Sequence, residues 1–304
     1  MNLVQRYREL LNRNHKVLNI HHKDLDGVAS SIVMKNVFNN IDFKELRYGE
    51  VNEYLKTINY DNYDVVVLTD ISPESIDAFD YSDKLFLLDH HDSAIGYHSP
   101  EQFRIVESGK CAAYLVKTFF ENLFSIDLSY LNDFVDYTND YDMWINEKVQ
   151  GWVLNELYFK YWDELFRRRF KSGAIILTTE EKLYIKERRI LLEQKYEHLQ
   201  TYDLEDINGC FFFSNNFIND LCHKLLTIKK YDVVICVNPK SKNCSIRIKD
   251  FDNIHIGNIL KEIELGGGHK CSAGFVINEY DDVEEKIYKI EKELYSFKEL
   301  RRKG

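Results

Sequence analysis

Within His21-His22-Lys23-Asp24-Leu25-Asp26-Gly27, two imidazoles and two carboxylates crowd directly behind the apolar residues Val17, Leu18 and Ile20. Two more clusters of the same chemistry follow: Leu68 leads to Asp70, and Leu87-Leu88 lead to Asp89, His90 and His91. Gathered in one cleft, so many carboxylates repel one another and raise their own pKa values unless cations neutralise them. Carboxylate and imidazole donors without a thiolate suit hard to borderline ions such as Mn²⁺, and an aspartate shared by two ions builds a two-metal site. Singly, each cluster has a plainer explanation: Asp-Leu-Asp-Gly is a capped turn and Asp70 a helix cap. Three together, each at the end of an apolar run, favour metal.

These residues can meet only if strands carry them to one edge. The runs KVLNI (16–20), DVVVLT (64–69) and KLFLL (84–88) read as strands buried on both faces, with GVASSIVMKNVF and SGKCAAYLVKTFFENL as helical connections. That alternation predicts an α/β domain with a parallel sheet, which binds ligands beyond the carboxyl ends of its strands. Residues 125–175 read as helical and aromatic. A long helix is expected over 178–200, opened by Thr178 and Glu181 at capping-box spacing. A second strand group (CFFFS, YDVVICV, CSIRI), a helix, a glycine cluster and an amphipathic helix from Asp282 complete the chain. The expected division is a catalytic domain over 1–165, a helical linker over 166–202 and a smaller α/β domain over 203–304.

Composition limits the function. With 304 residues, two domains are expected, and a formal charge of −10 argues against holding long nucleic acid by a sequence-independent field. The six cysteines show no CxxC spacing, the N-terminal residues carry no secretion signal, and no apolar run approaches the roughly 20 residues needed to span a bilayer. A soluble cytoplasmic protein without membrane contact is expected. SGKCAA (108–113) fails as a phosphate-binding loop because Arg104 stands where the first glycine belongs, and Ser108 reads as a helix cap. FRRRFK (166–171) reads as the exposed side of a helix.

HHKDLDGVASS, VVVLTDIS and LFLLDHHDS resemble the first three motifs of the DHH phosphoesterase family, and ELGGGHKCSAGF (264–275) resembles the signature of its DHH-associated C-terminal domain. HKDLDGV followed by YDMW is similar to the family's nanoRNases, which degrade very short oligoribonucleotides. The resemblance implies phosphodiester hydrolysis with two manganese ions in an interdomain cleft. His22 and Asp24 would bind one ion and Asp26 the other, Asp70 would bridge both, and His90 would complete the second. Asp89 would orient the imidazoles and His91 would reach the scissile phosphate. For the fourth motif, NDYDMW offers Asp140 and Asp142 with Asp136 nearby; the flanking Tyr141 and Trp144 fit the family spacing around Asp142. Many members place the first histidine four residues before the aspartate, where this chain has Ile20, so His21 competes with His22.

In the second domain, Gly266, Gly267 and Gly268 would let backbone N–H groups approach an anion, beside His269, while Arg247 would clamp phosphate oxygens. The expected partners are short RNA oligonucleotides or small nucleotides. Cyclic nucleotides or dinucleotides, or bis-phosphorylated nucleotides such as pAp, remain an alternative substrate class, a non-hydrolytic nucleotide sensor another reading. The oligomeric state is not legible.

Overall fold

The computed structural model describes residue 5, residues 7–8, 11–277, 282–297 and residue 300, and the chain divides into two compact units, residues 1–185 and 186–304. Three apolar runs, each followed by acid or imidazole, form the central strands of the first unit. They are β1 (Lys16–His22), β3 (Val65–Thr69) and β4 (Leu85–Asp89), joined by edge strands β2 (Asn40–Leu46) and β5 (Arg104–Val106) in the order β2-β1-β3-β4-β5. All four pairings are parallel, so every strand ends at the same edge.

Both faces of this sheet are covered, as continuous apolar strands require. Val17, Val65, Val67, Phe86 and Leu88 face one core, which includes α1 (Leu25–Val37), α3 (Ala112–Phe124), α4 (Asn132–Asp142) and α5 (Val149–Arg169). Leu18, Ile20, Val66, Leu68, Leu85 and Leu87 face the other, with α2 (Val51–Thr57). Helix α6 (Thr179–Glu197) opens with the expected capping box: Thr178 N–H donates to Glu181 Oε2 at 2.7 Å and Glu181 N–H to Thr178 Oγ1 at 3.2 Å.

The second unit is built on the six-stranded sheet β10-β11-β9-β8-β7-β6. Its elements are β6 (Thr201–Asp203), β7 (Gly209–Phe213), α7 (Ile218–Thr227), β8 (Val233–Val237), β9 (Asn243–Ile248), α8 (Ile256–Glu262), β10 (Gly266–Gly268), β11 (Ser272–Val276) and α9 (Asp282–Leu294). Only β7 and β8 run parallel; the other pairs are antiparallel.

One local expectation is corrected. Ser108 caps nothing: α3 starts at Ala112 with Cys111 at its N-cap. Only the three-residue edge strand β5 precedes SGKCAA. The glycine run forms the edge strand β10, where a Cβ on Gly266 would lie 2.0 Å from Gly274 O and one on Gly268 2.4 Å from Ser272 O.

Helix α1 packs against the end of β1 through Gly27, where a Cβ would stand 2.1 Å from His22 O. No rotamer relieves a Cβ clash with backbone. Gly27→Ala should therefore cost about 3 kcal/mol of folding stability. Urea denaturation checks this, and a loss below about 1 kcal/mol would mean that α1 can shift away from β1.

Candidate metal centre

Strand parity decides between the adjacent histidines. His21 shares the face of Val17, is fully buried and turns to the helices, with Nε2 3.3 Å from Asp163 Oδ1 and 3.4 Å from Arg167 Nη1. His22 turns to the acid cluster: Nδ1 lies 2.8 Å from Asp24 Oδ2 and 3.9 Å from Asp70 Oδ2. The structure thus brings His22, and not His21, to the aspartates.

Asp24 and Asp26 also hold the fold. Asp24 caps α1, accepting from Gly27 N–H at 2.9 Å. Asp26 takes the role foreseen for Ser108, accepting from Ala112 N–H at 2.6 Å and Ala113 N–H at 2.9 Å at the start of α3. The capping and cluster readings of these residues therefore coexist, since each carboxylate oxygen has two lone pairs.

Asp70 sits at the centre. It follows β3 with φ 61°, a left-handed conformation that aspartate tolerates better than most residues and that strained functional positions often show. Its side chain is 1% exposed, and neither oxygen receives a hydrogen bond among the described residues. Oδ1 faces His90 Nε2 at 3.2 Å while Oδ2 faces His22. His90 Nε2 is also 3.6 Å from Asp26 Oδ2 and 3.5 Å from Asp142 Oδ2. Ligand atoms of His22, Asp24 and Asp70 fall within 4.8 Å of one another, as do those of Asp26, His90 and Asp142, and those of Asp70, Asp89, His90 and His91.

The fourth-motif aspartates separate cleanly. Asp142, the last residue of α4, joins the cluster, whereas Asp140 is buried and accepts from Glu147 N–H at 3.1 Å and Lys148 N–H at 3.0 Å, fixing the loop after α4. Asp136 is exposed.

Asp89 is fully buried and saturated with donors: Ser72 Oγ, His90 N–H at 2.8 Å, His91 N–H at 3.3 Å and His91 Nδ1 at 2.7 Å. Tyr48, which the sequence reading missed, places its hydroxyl 2.7 Å from His91 Nε2 and its ring 4.6 Å from that of His22. Its signal is weak: one tyrosine just beyond an edge strand that went unread.

Burial and the charge of Asp142 push Asp26 up to about 6; burial and Asp24 push Asp142 up to about 7; burial and Asp26 push Asp70 well above the carboxylate range. Burial also opposes ionisation of Asp24 and Asp89, but His22 and His91 respectively outweigh it and hold both low. His91 rises to about 9, since Asp89 outweighs the burial that disfavours its charge, while burial and His91 lower His90.

In the second unit, Arg247 on β9 stands opposite Ser272 of β11 and donates to Asn219 Oδ1 at 2.8 Å and to Ile246 O at 3.0 Å. His269 follows β10, its N–H donating to Ser272 O at 2.7 Å. Gly267 is the one residue of β10 where a Cβ would meet nothing within 4 Å. Lys270 pairs with Asp250 at 2.6 Å. FRRRFK is no basic patch: Arg167 pairs with Asp163, Arg168 with Glu164 and Arg169 with Glu181, between buried Phe166 and Phe170.

A parallel sheet ending in an acid and imidazole cluster, followed by a second mixed sheet, defines the class. Residues 16–138 match the DHH family, N-terminal domain, and residues 211–296 match the DHHA1 domain. The chain therefore has the two-domain DHH and DHHA1 architecture and a DHH-family phosphoesterase fold. No curated protein sequence matches it. Among solved structures it is similar to RecJ from Thermus thermophilus in complex with Mn²⁺, at 11% identity and TM-score 0.62, covering 99% of this chain and 55% of that one. An exopolyphosphatase-related protein from Bacteroides fragilis matches at 13% identity and TM-score 0.58, covering 97% and 96%. Exonuclease RecJ bound to manganese matches at 12% identity and TM-score 0.56, covering 97% and 94%. The chain spans about half the length of the Thermus protein. Likeness at such identities shows the fold alone. Among the described residues, no helix is long and apolar enough to cross a membrane.

Metal-free protein should lose stability between about pH 5 and about pH 8. Asp26, Asp70 and Asp142 keep protons that the unfolded chain releases near pH 4, so folding weakens as pH rises through their raised values. His91, protonated up to about 9 when folded, acts in the same sense above its ordinary range of about 6.5, and only His90, shifted down, opposes. The stabilisation from Asp24 and Asp89 is already complete above about pH 4. Urea denaturation with and without a divalent cation measures the drop, which the cation should abolish; equal stability at both pH values would mean that the carboxylates do not repel.

Proposed function

We propose that this chain is a manganese-dependent phosphodiesterase that hydrolyses very short oligoribonucleotides to mononucleotides. The observation that carries this reading is Asp70, buried between two imidazoles with neither oxygen hydrogen-bonded among the described residues. That is the environment of a bridging ligand. His22, Asp24 and Asp70 would hold one ion; Asp26, His90, Asp142 and the other oxygen of Asp70 would hold the second. The donors are all oxygen or imidazole nitrogen, which fits manganese, and the RecJ structures of the same fold include manganese and magnesium complexes. When bound, the ions supply Lewis acidity and an acidified water at neutral pH.

The remaining work falls to side chains. Asp89 accepts from Nδ1–H of His91 and favours the protonated ring, whose Nε2–H would donate to a phosphoryl oxygen as charge develops. Arg247 offers a planar fork for a terminal phosphate, with His269 and the backbone of Gly266, Gly267 and Gly268 near it in sequence and sheet. Residues 1–165 would serve catalysis, 203–304 substrate binding, and 166–202 the link between them.

Asp70→Asn should lower turnover about a thousandfold or more while leaving the metal-free protein at least as stable, since it removes the bridge and a repelled carboxylate together. Asp142→Asn should follow that pattern; Asp140→Asn should instead cost stability, because Asp140 holds backbone donors. Near wild-type turnover in Asp70→Asn would refute the bridging role. A net charge of −10 and the pairing of each of Arg167, Arg168 and Arg169 argue against an extended track for long RNA. Turnover with manganese and end-labelled RNA should fall steeply from dinucleotide to twenty-mer. Equal activity on the longest would leave only a general phosphodiesterase.

A further inference from the structure

Strand β2 delivers the chain to an exposed turn, residues 47–50, at the sheet edge that carries the acid cluster. Glu50 N–H donates to Arg47 O at 3.2 Å and Arg47 N–H to Glu50 Oε2 at 2.8 Å, with Gly49 at φ 84°. Tyr48, 49% exposed, leans from this turn over the cluster. Its ring lies 4.6 Å from the ring of His22 and 5.5 Å from that of His91, and its hydroxyl stands 2.7 Å from His91 Nε2.

His91 Nδ1 is committed to Asp89, so Nε2 is the nitrogen through which this ring can reach a substrate. The Tyr48 oxygen therefore stands where a phosphoryl oxygen must stand if the proposed function holds. Either oxygen would meet the same ring nitrogen at the same hydrogen-bonding separation. Two acceptors cannot share that position.

We propose that Tyr48 is a gate, its hydroxyl holding the place of a substrate phosphoryl oxygen on His91 until a phosphate ester displaces it. The inference rests on the phosphodiesterase reading. The turn suits the movement: residues 47–50 are all exposed, so swinging Tyr48 outward uncovers no core. The hydroxyl released by the move meets water, and His91 exchanges one oxygen partner for another. The gate therefore opposes binding without opposing the chemical step.

Tyr48→Phe keeps the ring against His22 and removes only the hydroxyl. With manganese and a diribonucleotide, its KM should fall about fivefold, the worth of one hydrogen bond no longer broken on binding, with the change falling on KM rather than kcat. Affinity of the manganese-loaded protein for inorganic phosphate, measured by isothermal titration, should rise by the same factor. A fall in kcat at constant KM would overturn the gate and make the hydroxyl part of the chemistry; an unaltered KM would overturn it too. If the wild type cleaves no phosphodiester, the functional reading fails by itself. Phosphate affinity then still decides the gate: tighter binding in the variant upholds it, and equal or weaker binding overturns it.

Discussion

Mutual repulsion among buried carboxylates at one sheet edge is the constraint to which the rest of the first unit answers. Parallel pairing of β1, β3 and β4 forces Asp24, Asp26, Asp70 and Asp89 to the same side, and α4 adds Asp142. The fold offsets part of the cost locally. Asp24 and Asp26 sit at the starts of α1 and α3, where unsatisfied N–H groups and the helix dipole favour negative charge. Asp89 is surrounded by donors. Asp70 receives none of this help and stands in a strained backbone conformation. The fold thus compensates the neighbours and leaves the central aspartate in their field, a position that a bound cation would relieve.

The parts of this site legible in the sequence are those set by local pattern. Runs such as VVVLT and LFLLD announce central strands because both faces are buried, and the residue type at each strand end then announces the edge. The edge strands escaped notice for the converse reason: NIDFKEL mixes charge with apolar residues and RIV is three residues long. With β2 unread, Tyr48 had no place. Asp26 as the cap of α3 was equally hidden, since 86 residues separate donor from acceptor while Ser108 lay conveniently near. His21 against His22 was decidable in principle by parity with Val17, but apolar residues on both faces removed the alternation that would have shown it.

Charge in this protein is spent in pairs. Arg167, Arg168 and Arg169 would look like an anion site in composition alone, yet each meets a carboxylate, and Arg169 and Glu181 tie α5 to the start of α6. Arg247 is oriented in part by a neutral amide and a backbone carbonyl, Asn219 Oδ1 and Ile246 O. The glycines of β10 likewise serve structure first, because backbone pairing with β11 leaves no room for Cβ atoms at Gly266 and Gly268. Close approach of backbone to backbone is what the sequence pattern encoded; any anion must use what that pairing leaves open.

A series of hydrogen bonds runs from fully buried Asp89, which accepts from Ser72 and from His91, through His91 to exposed Tyr48. Its members differ in how freely they can move. Rotating Asp89 would strand several buried donors at once, and rotating His91 would break its tie to Asp89, so both are fixed by the cost of unsatisfied polar groups. Tyr48 is the exposed end, and its hydroxyl can exchange protein for water at little cost. Any adjustment that admitted a substrate to His91 would therefore cost least at Tyr48, the exposed member, because Asp89 and His91 would lose the partners that hold them.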